Sequence, residues 1–169
     1  IGTNVKNVIL GFMVATAFLS MWISNTATSV MMLPIGMSII SQLMDNPKTV
    51  ENENQNFGKA LMLAIAYSAS IGGMATLIGT PPNLVLATIV QETYGIEITF
   101  SKWFMFGLPI SLILLAICWK YLTEIAFTFK EKKFPGGRNE INKQLKSLGK
   151  LSYEEKVVLL IFVGTAFAW

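Results

Sequence analysis

Two long stretches of the chain carry no Asp, Glu, Lys or Arg: residues 9–43 and residues 61–90. Uncharged runs of that length predict membrane segments. Neither stretch reads as one straight helix. In the first, an apolar run predicts a helix over residues 7–23. A row of hydroxyls and one amide, Ser24-Asn25-Thr26 through Ser29, then predicts a tip, and a second helix is expected over 30–44, with Pro34 in its first turn or two. Residues 45–56 are polar and predict a solvent loop. In the second stretch the apolar run from Ala60 is interrupted by Gly72, Gly73, Gly79, Pro81 and Pro82 before a short helix over 84–91. So many breakers predict a discontinuous helix spanning 60–91. Residues 104–125 read as a plain span with a kink at Pro109. Residues 130–156 read as a basic linker in which Ser152 and Glu155 match a capping box, and 157–169 as the start of a further span. The fold class is therefore an all-α, polytopic integral membrane protein.

At these two breaks a helix end, a few polar residues and a new helix start follow one another. A helix C-terminus offers carbonyl oxygens with partial negative charge, and an N-terminus offers N–H groups with partial positive charge. Carbonyls and hydroxyls suit an alkali cation; N–H groups, hydroxyls and amides suit a carboxylate. A pair of broken helices thus serves a cation and an anion without a charged side chain, the arrangement of secondary transporters. An exposed hairpin turn at Ser24-Asn25-Thr26, close helix packing at Gly72-Gly73 and a simple kink at Pro81-Pro82 are the plainer readings of the same residues. For Thr16, Ser38, Ser68 and Ser70 the plain reading is a hydroxyl bonded back to its own helix or to a neighbour.

Hydrophobic residues make up 53% of the 169 and charged residues 14%, which fits a membrane protein better than a soluble domain. There is no His, so His-based metal sites and general bases are excluded from this chain, and the single Cys118 lies in an apolar run where a packing role is expected. Proton-driven carriers commonly need an intramembrane carboxylate or His. Their absence from both uncharged stretches favours Na⁺ as the coupling ion. Lys130, Lys132, Lys133, Arg138, Lys143, Lys146 and Lys150 cluster after the plain span, which places that segment in the cytoplasm. The first two helices then form a hairpin entering from the cytoplasm. Acidic residues interspersed among these cations argue against a nucleic-acid patch. The chain opens on Ile1 without a basic leader and stops at Trp169 within an apolar run, as expected of a portion of a longer protein.

Two strings, Ser24-Asn25-Thr26-Ala27-Thr28-Ser29-Val30-Met31-Met32-Leu33-Pro34 and Ile71-Gly72-Gly73-Met74-Ala75-Thr76-Leu77-Ile78-Gly79-Thr80-Pro81-Pro82-Asn83, resemble the divalent anion/sodium symporter family, the solute carrier 13-like Na⁺/dicarboxylate transporters. The resemblance covers nearly the whole chain but only the first of that family's two inverted repeats. It implies a homodimeric membrane carrier with a scaffold and a mobile transport domain, working by an elevator mechanism. Residues 1–129 would belong to the transport domain and residues 7–44 would be a re-entrant hairpin. It further implies a sodium site at Ser20, Ser24, Asn25 and Gly79, and substrate contacts at Asn25, Thr26 and Thr80. A small carboxylate anion, sodium and the bilayer of the cell membrane are the implied partners, and nucleic acid is not among them. A Na⁺-independent carboxylate exchanger of the same fold is the alternative. An ion channel with a re-entrant loop is a rival from another class, and a membrane enzyme is the weakest because no nucleophile–base pair is visible.

Overall fold

The computed structural model describes residues 4–44, 51–127, 129 and 152–168. It is all-helical, with no β-strand among the described residues. In the unit formed by residues 1–135 the elements are α1 (Val5–Ser20), α2 (Asn25–Met44), α3 (Glu51–Gly73), α4 (Pro81–Tyr94) and α5 (Phe100–Lys120). α5 continues into a π-helical turn, Tyr121–Ala126. The second unit contains α6 (Tyr153–Ala168).

Local chemistry sets most of these ends. The Asn4 side chain accepts from the Lys6 N–H and caps α1. Thr99 caps α5 in the same way through Lys102. Gly95, at φ 67°, closes α4 in the left-handed conformation that glycine adopts without a Cβ penalty. The capping box is present on α6: Ser152 N–H donates to Glu155 Oε2 (2.8 Å), and Glu155 N–H donates to Ser152 Oγ (3.2 Å). At the far end of α5, Phe127 N–H donates to Leu122 O, five residues back, and this wider turn buries both Leu122 and Thr123.

α3 is the centre of the unit, with α1 and α2 packed on it. One face of α1 presents Val5, Ile9, Met13 and Ala17, each four residues from the last and all buried. On α3, Ala60, Ala64, Ser68 and Gly72 recur at the same spacing and are all buried. Small side chains at every fourth position let helix backbones approach closely, which is how helices gain contact in lipid, where burial of apolar surface gives no advantage. The start of α1 is tied to the end of α5 by Trp119 Nε1 donating to Lys6 O (3.0 Å) and by the Lys6–Glu124 ion pair (3.4 Å).

Among the described residues, one helical stretch, Phe100–Ala126, is long and apolar enough to cross a membrane. α1, with 16 residues, is about 24 Å long, short of the roughly 30 Å hydrocarbon core.

Several boundaries differ from expectation. The chain turns at residues 21–24, so Asn25 to Ser29 form the first turns of α2 rather than a tip. Ser24 decides this: its side chain accepts from Ala27 N–H (3.3 Å) and its carbonyl from Thr28 N–H (2.9 Å), so it serves as the N-cap. Pro34 is then the tenth residue of α2, well inside the helix. Residues 51–56 are helical, not loop; Glu, Asn and Gln are polar but do not break a helix. α4 starts at Pro81 and α5 at Phe100, earlier than the sequence suggested. Residues 45–50 and most of the basic linker, 130–151, lie outside the described residues.

Candidate functional site

The two chain breaks, residues 21–24 and 74–80, lie against each other, and four helix ends converge there. Ser20, the last residue of α1, is fully buried. Its Oγ lies 2.6 Å from Ala69 O on α3 and 2.8 Å from Asn25 Oδ1 at the start of α2. The Asn25 carboxamide sits over Gly73, the last residue of α3, in the space a Cβ there would fill. Gly79 packs in turn on the Gly73 backbone, where a Cβ would come within 2.5 Å of Gly73 O. The residue before Gly73, Gly72, lies against the backbone of Ala17.

The three oxygens around Ser20 do not have enough hydrogens between them. Ser20 has one hydroxyl proton, while Ala69 O and Asn25 Oδ1 are both acceptors. One of the two short contacts is therefore met either by turning the amide so that Nδ2 faces Ser20 or by a cation shared between the oxygens. Hydroxyl, amide and carbonyl oxygens are hard, neutral ligands that fit an alkali ion. Among the described residues no group of three His, Cys, Asp or Glu is placed to hold a metal.

The helix starts are unequal. At α2, Ser24 engages the N–H groups of Ala27 and Thr28, and those of Asn25 and Thr26 have no partner among the described residues. They are open donors at the positive end of a 20-residue helix. At α4, Pro81 and Pro82 occupy the first two positions, so that helix start has no N–H to offer there. The expectation of equivalent equipment at both breaks is corrected by this: α2 brings the donors, and α4 brings its dipole and the half-buried Thr80, whose side chain makes no capping bond.

The carbonyls ending α3 are also largely engaged. Ile71 O accepts from Ser111 Oγ (3.0 Å), Met74 O from Trp103 Nε1 (3.1 Å), and Gly73 O from Asn83 Nδ2 (3.0 Å).

All of residues 1–169 match the citrate transporter family, CitMHS. The chain belongs to this family. The curated proteins similar to it include the sodium-dependent dicarboxylate transporters SdcS of Staphylococcus saprophyticus, 45% identical, and of Staphylococcus aureus strain USA300, 46% identical. Each match covers 100% of this chain and 33% of the relative, so the chain spans about a third of the length of the relatives it matches. These relatives are transporters, not enzymes.

In this citrate transporter family chain, the structure brings Ser20 and Asn25 into contact and puts Gly79 one residue's thickness away, across Gly73. It does not bring in Ser24, whose hydroxyl is exposed and committed to capping α2. Thr26 is exposed on the first turn of α2. Three participants were missed from sequence. Ala69 contributes only a carbonyl, which no side-chain pattern reveals. Thr76 and Asn83 lie inside the quoted string, yet only the fold shows what they touch. Of the hydroxyls given a plain role, Ser68 and Ser70 do bond back, to Ala64 O and Ala66 O; Thr16 Oγ1 is buried with no partner among the described residues, and Ser38 is exposed.

Proposed function

We propose that the full-length protein is a secondary active transporter coupling Na⁺ to the movement of di- or tricarboxylates. The observation that carries this reading is the convergence of the Ser20 hydroxyl, the Asn25 carboxamide and Ala69 O beside the open N–H groups of Asn25 and Thr26. A cation and a carboxylate can thus be held side by side with no charged side chain, each lowering the electrostatic cost of the other. The names of the relatives, sodium-dependent dicarboxylate transporter, point to the same pair of solutes.

In this proposal Ser20, Asn25 and Gly79 serve sodium, and Asn25, Thr26 and Thr80 serve the substrate carboxylate. α1 and α2 form a re-entrant hairpin within the first of two inverted repeats, in a homodimer whose transport domain moves as an elevator. The short α1 supports the hairpin, since it reaches only part-way through a bilayer. The basic segment after residue 129 is cytoplasmic, in the cell membrane of a bacterium.

The test is uptake of labelled succinate into proteoliposomes by the full-length protein, with and without an inward Na⁺ gradient. Saturable uptake that needs the gradient is the expected result. Saturable exchange indifferent to Na⁺ would replace symport by the exchanger reading, and unsaturable flux would indicate a channel.

A further inference from the structure

We propose that Thr76 is a positioning residue that makes the two chain breaks open and close as one unit. This rests on the transporter reading for its use, but its structural basis is independent of which solute binds. The Thr76 hydroxyl is fully buried between the breaks. It donates to Met21 O, the first residue of the break after α1 (2.5 Å). It accepts from Gly79 N–H, in the break after α3 (2.9 Å). Its own carbonyl is held by Asn83 Nδ2 (2.8 Å), which also holds Gly73 O (3.0 Å).

The hydroxyl therefore spends its proton on one break and a lone pair on the other. Both partners are backbone groups, Met21 O and Gly79 N–H, that have no backbone hydrogen bond of their own among the described residues. Elsewhere on these helices Ser68, Ser70 and Thr88 return their protons to carbonyls of their own helix, which links nothing. Thr76 differs in that neither of its partners lies in a preceding helical turn. Asn83, placed on the first turn of α4, fixes the Thr76 backbone so the hydroxyl cannot swing away. Order imposed on Gly79 by a bound ion then reaches Met21, and through the short turn at residues 21–24 reaches Asn25 at the head of α2. Coupling between two sites requires a two-state element that both bias; the paired breaks are that element and Thr76 is the link within it.

The experiment is hydrogen exchange, followed by mass spectrometry, on the full-length protein in nanodiscs. Wild type, Thr76→Val, Thr76→Ser and the control Ser68→Ala are compared without ligand, with Na⁺ against choline at fixed ionic strength, and with succinate. Valine keeps the shape and deletes the hydroxyl; serine keeps the hydroxyl. Without ligand, Thr76→Val should exchange about tenfold faster in both segments, 21–26 and 74–80, while Thr76→Ser and Ser68→Ala stay near wild type. With Na⁺ or succinate, wild type should gain protection in both segments. Thr76→Val should gain it in only one of them. A Thr76→Val protein that loosens at 74–80 but keeps wild-type exchange at 21–26 overturns the proposal. So does one in which either ligand still protects both segments. If Na⁺ protects neither segment of the wild type, the sodium reading fails, and the ligand-free comparison alone decides the role of Thr76.

Discussion

The carboxamide of Asn25 occupies the space that a side chain at Gly73 would need. Its Cγ and Nδ2 lie 3.0 and 3.1 Å from where that Cβ would be, and Oδ1 lies closer still. Adjacent to it, Gly72 meets the backbone of Ala17 instead. Two neighbouring glycines thus carry different constraints: one admits a functional side chain, the other admits a helix.

Gly73→Ala and Gly72→Ala should accordingly fail in different ways. At Gly73 the added methyl displaces a side chain that can rotate, so the fold should survive while Na⁺-dependent succinate binding falls at least about tenfold. At Gly72 the obstacle is backbone, and the α1–α3 contact must open, at a cost of about 1–3 kcal/mol. Thermal unfolding and binding titrations on the same preparations separate the two. Equal loss of stability in both would refute the distinction.

Asn83→Asp should destabilise the break after α3. Asn83 uses both Nδ2 protons, on Gly73 O and Thr76 O. Aspartate replaces a double donor with a charge facing two carbonyls, and the buried acceptors lose their partners, at a cost of about 3 kcal/mol. A lowered melting temperature together with faster proteolysis near residues 74–80 is the expected outcome; a melting temperature equal to wild type would show that the two bonds contribute little.

Much of this was legible in the chain before its fold. The two uncharged stretches located the helices, and Gly72, Gly73, Gly79 and the proline pair located the second break. The Ser152–Glu155 capping box was readable because both partners lie within one turn. The first break was set a few residues late because Ser24, Asn25 and Thr26 are all good N-caps, and only backbone bonding to Ser24 chooses among them. The π-helical turn at Tyr121–Ala126 has no pattern of its own in the sequence. The four-residue spacing of Ala60, Ala64, Ser68 and Gly72 is a sequence signal for the close α1–α3 packing. What no reading of residue types supplies is a bond to a distant carbonyl: Ser20 to Ala69 O, Thr76 to Met21 O, Ser111 to Ile71 O.

The membrane orientation can be tested by labelling. A cysteine at Gly137, within the basic segment, should react with impermeant thiol reagents only from the cytoplasmic side. A cysteine at Glu97, exposed between α4 and α5, should react only from the outside. Carrying Cys118→Ser in both proteins removes the native thiol. The opposite pattern would turn the topology over, and with it the cytoplasmic entry of the hairpin.

Asn25→Ala in the full-length protein should abolish uptake while leaving expression and melting temperature close to wild type. The side chain is only half-buried and makes its contact at the rim of the α1–α3 packing, so little of the core depends on it. Alanine keeps the backbone N–H but has neither the side-chain oxygen for a cation nor the Nδ2 protons for a carboxylate. Saturable Na⁺-dependent uptake by this variant would remove Asn25 from the site.

The sharpest test compares the two serines that flank the first break. Ser20 and Ser24 are four residues apart, but only Ser20 faces the oxygen cluster. Its hydroxyl is buried between Ala69 O and Asn25 Oδ1, whereas that of Ser24 is exposed and accepts from Ala27 N–H. Ser20→Ala should weaken the apparent Na⁺ affinity by tenfold or more, since it removes one of three clustered oxygens and leaves the other two without a shared proton. Ser24→Ala should lose the cap, about 1 kcal/mol of helix stability, and change Na⁺ affinity less. Linkage gives an internal check: whatever factor a variant removes from the effect of Na⁺ on succinate affinity must also vanish from the effect of succinate on Na⁺ affinity. Succinate-binding titrations at several Na⁺ concentrations and constant ionic strength measure both. If Ser24→Ala proves the more damaging, the hydroxyl of Ser24 leaves its cap to bind the ion, and the break rearranges when sodium arrives. If neither serine changes the Na⁺ dependence, sodium binds away from the Ser20–Asn25–Ala69 oxygens and the site proposed for it is wrong.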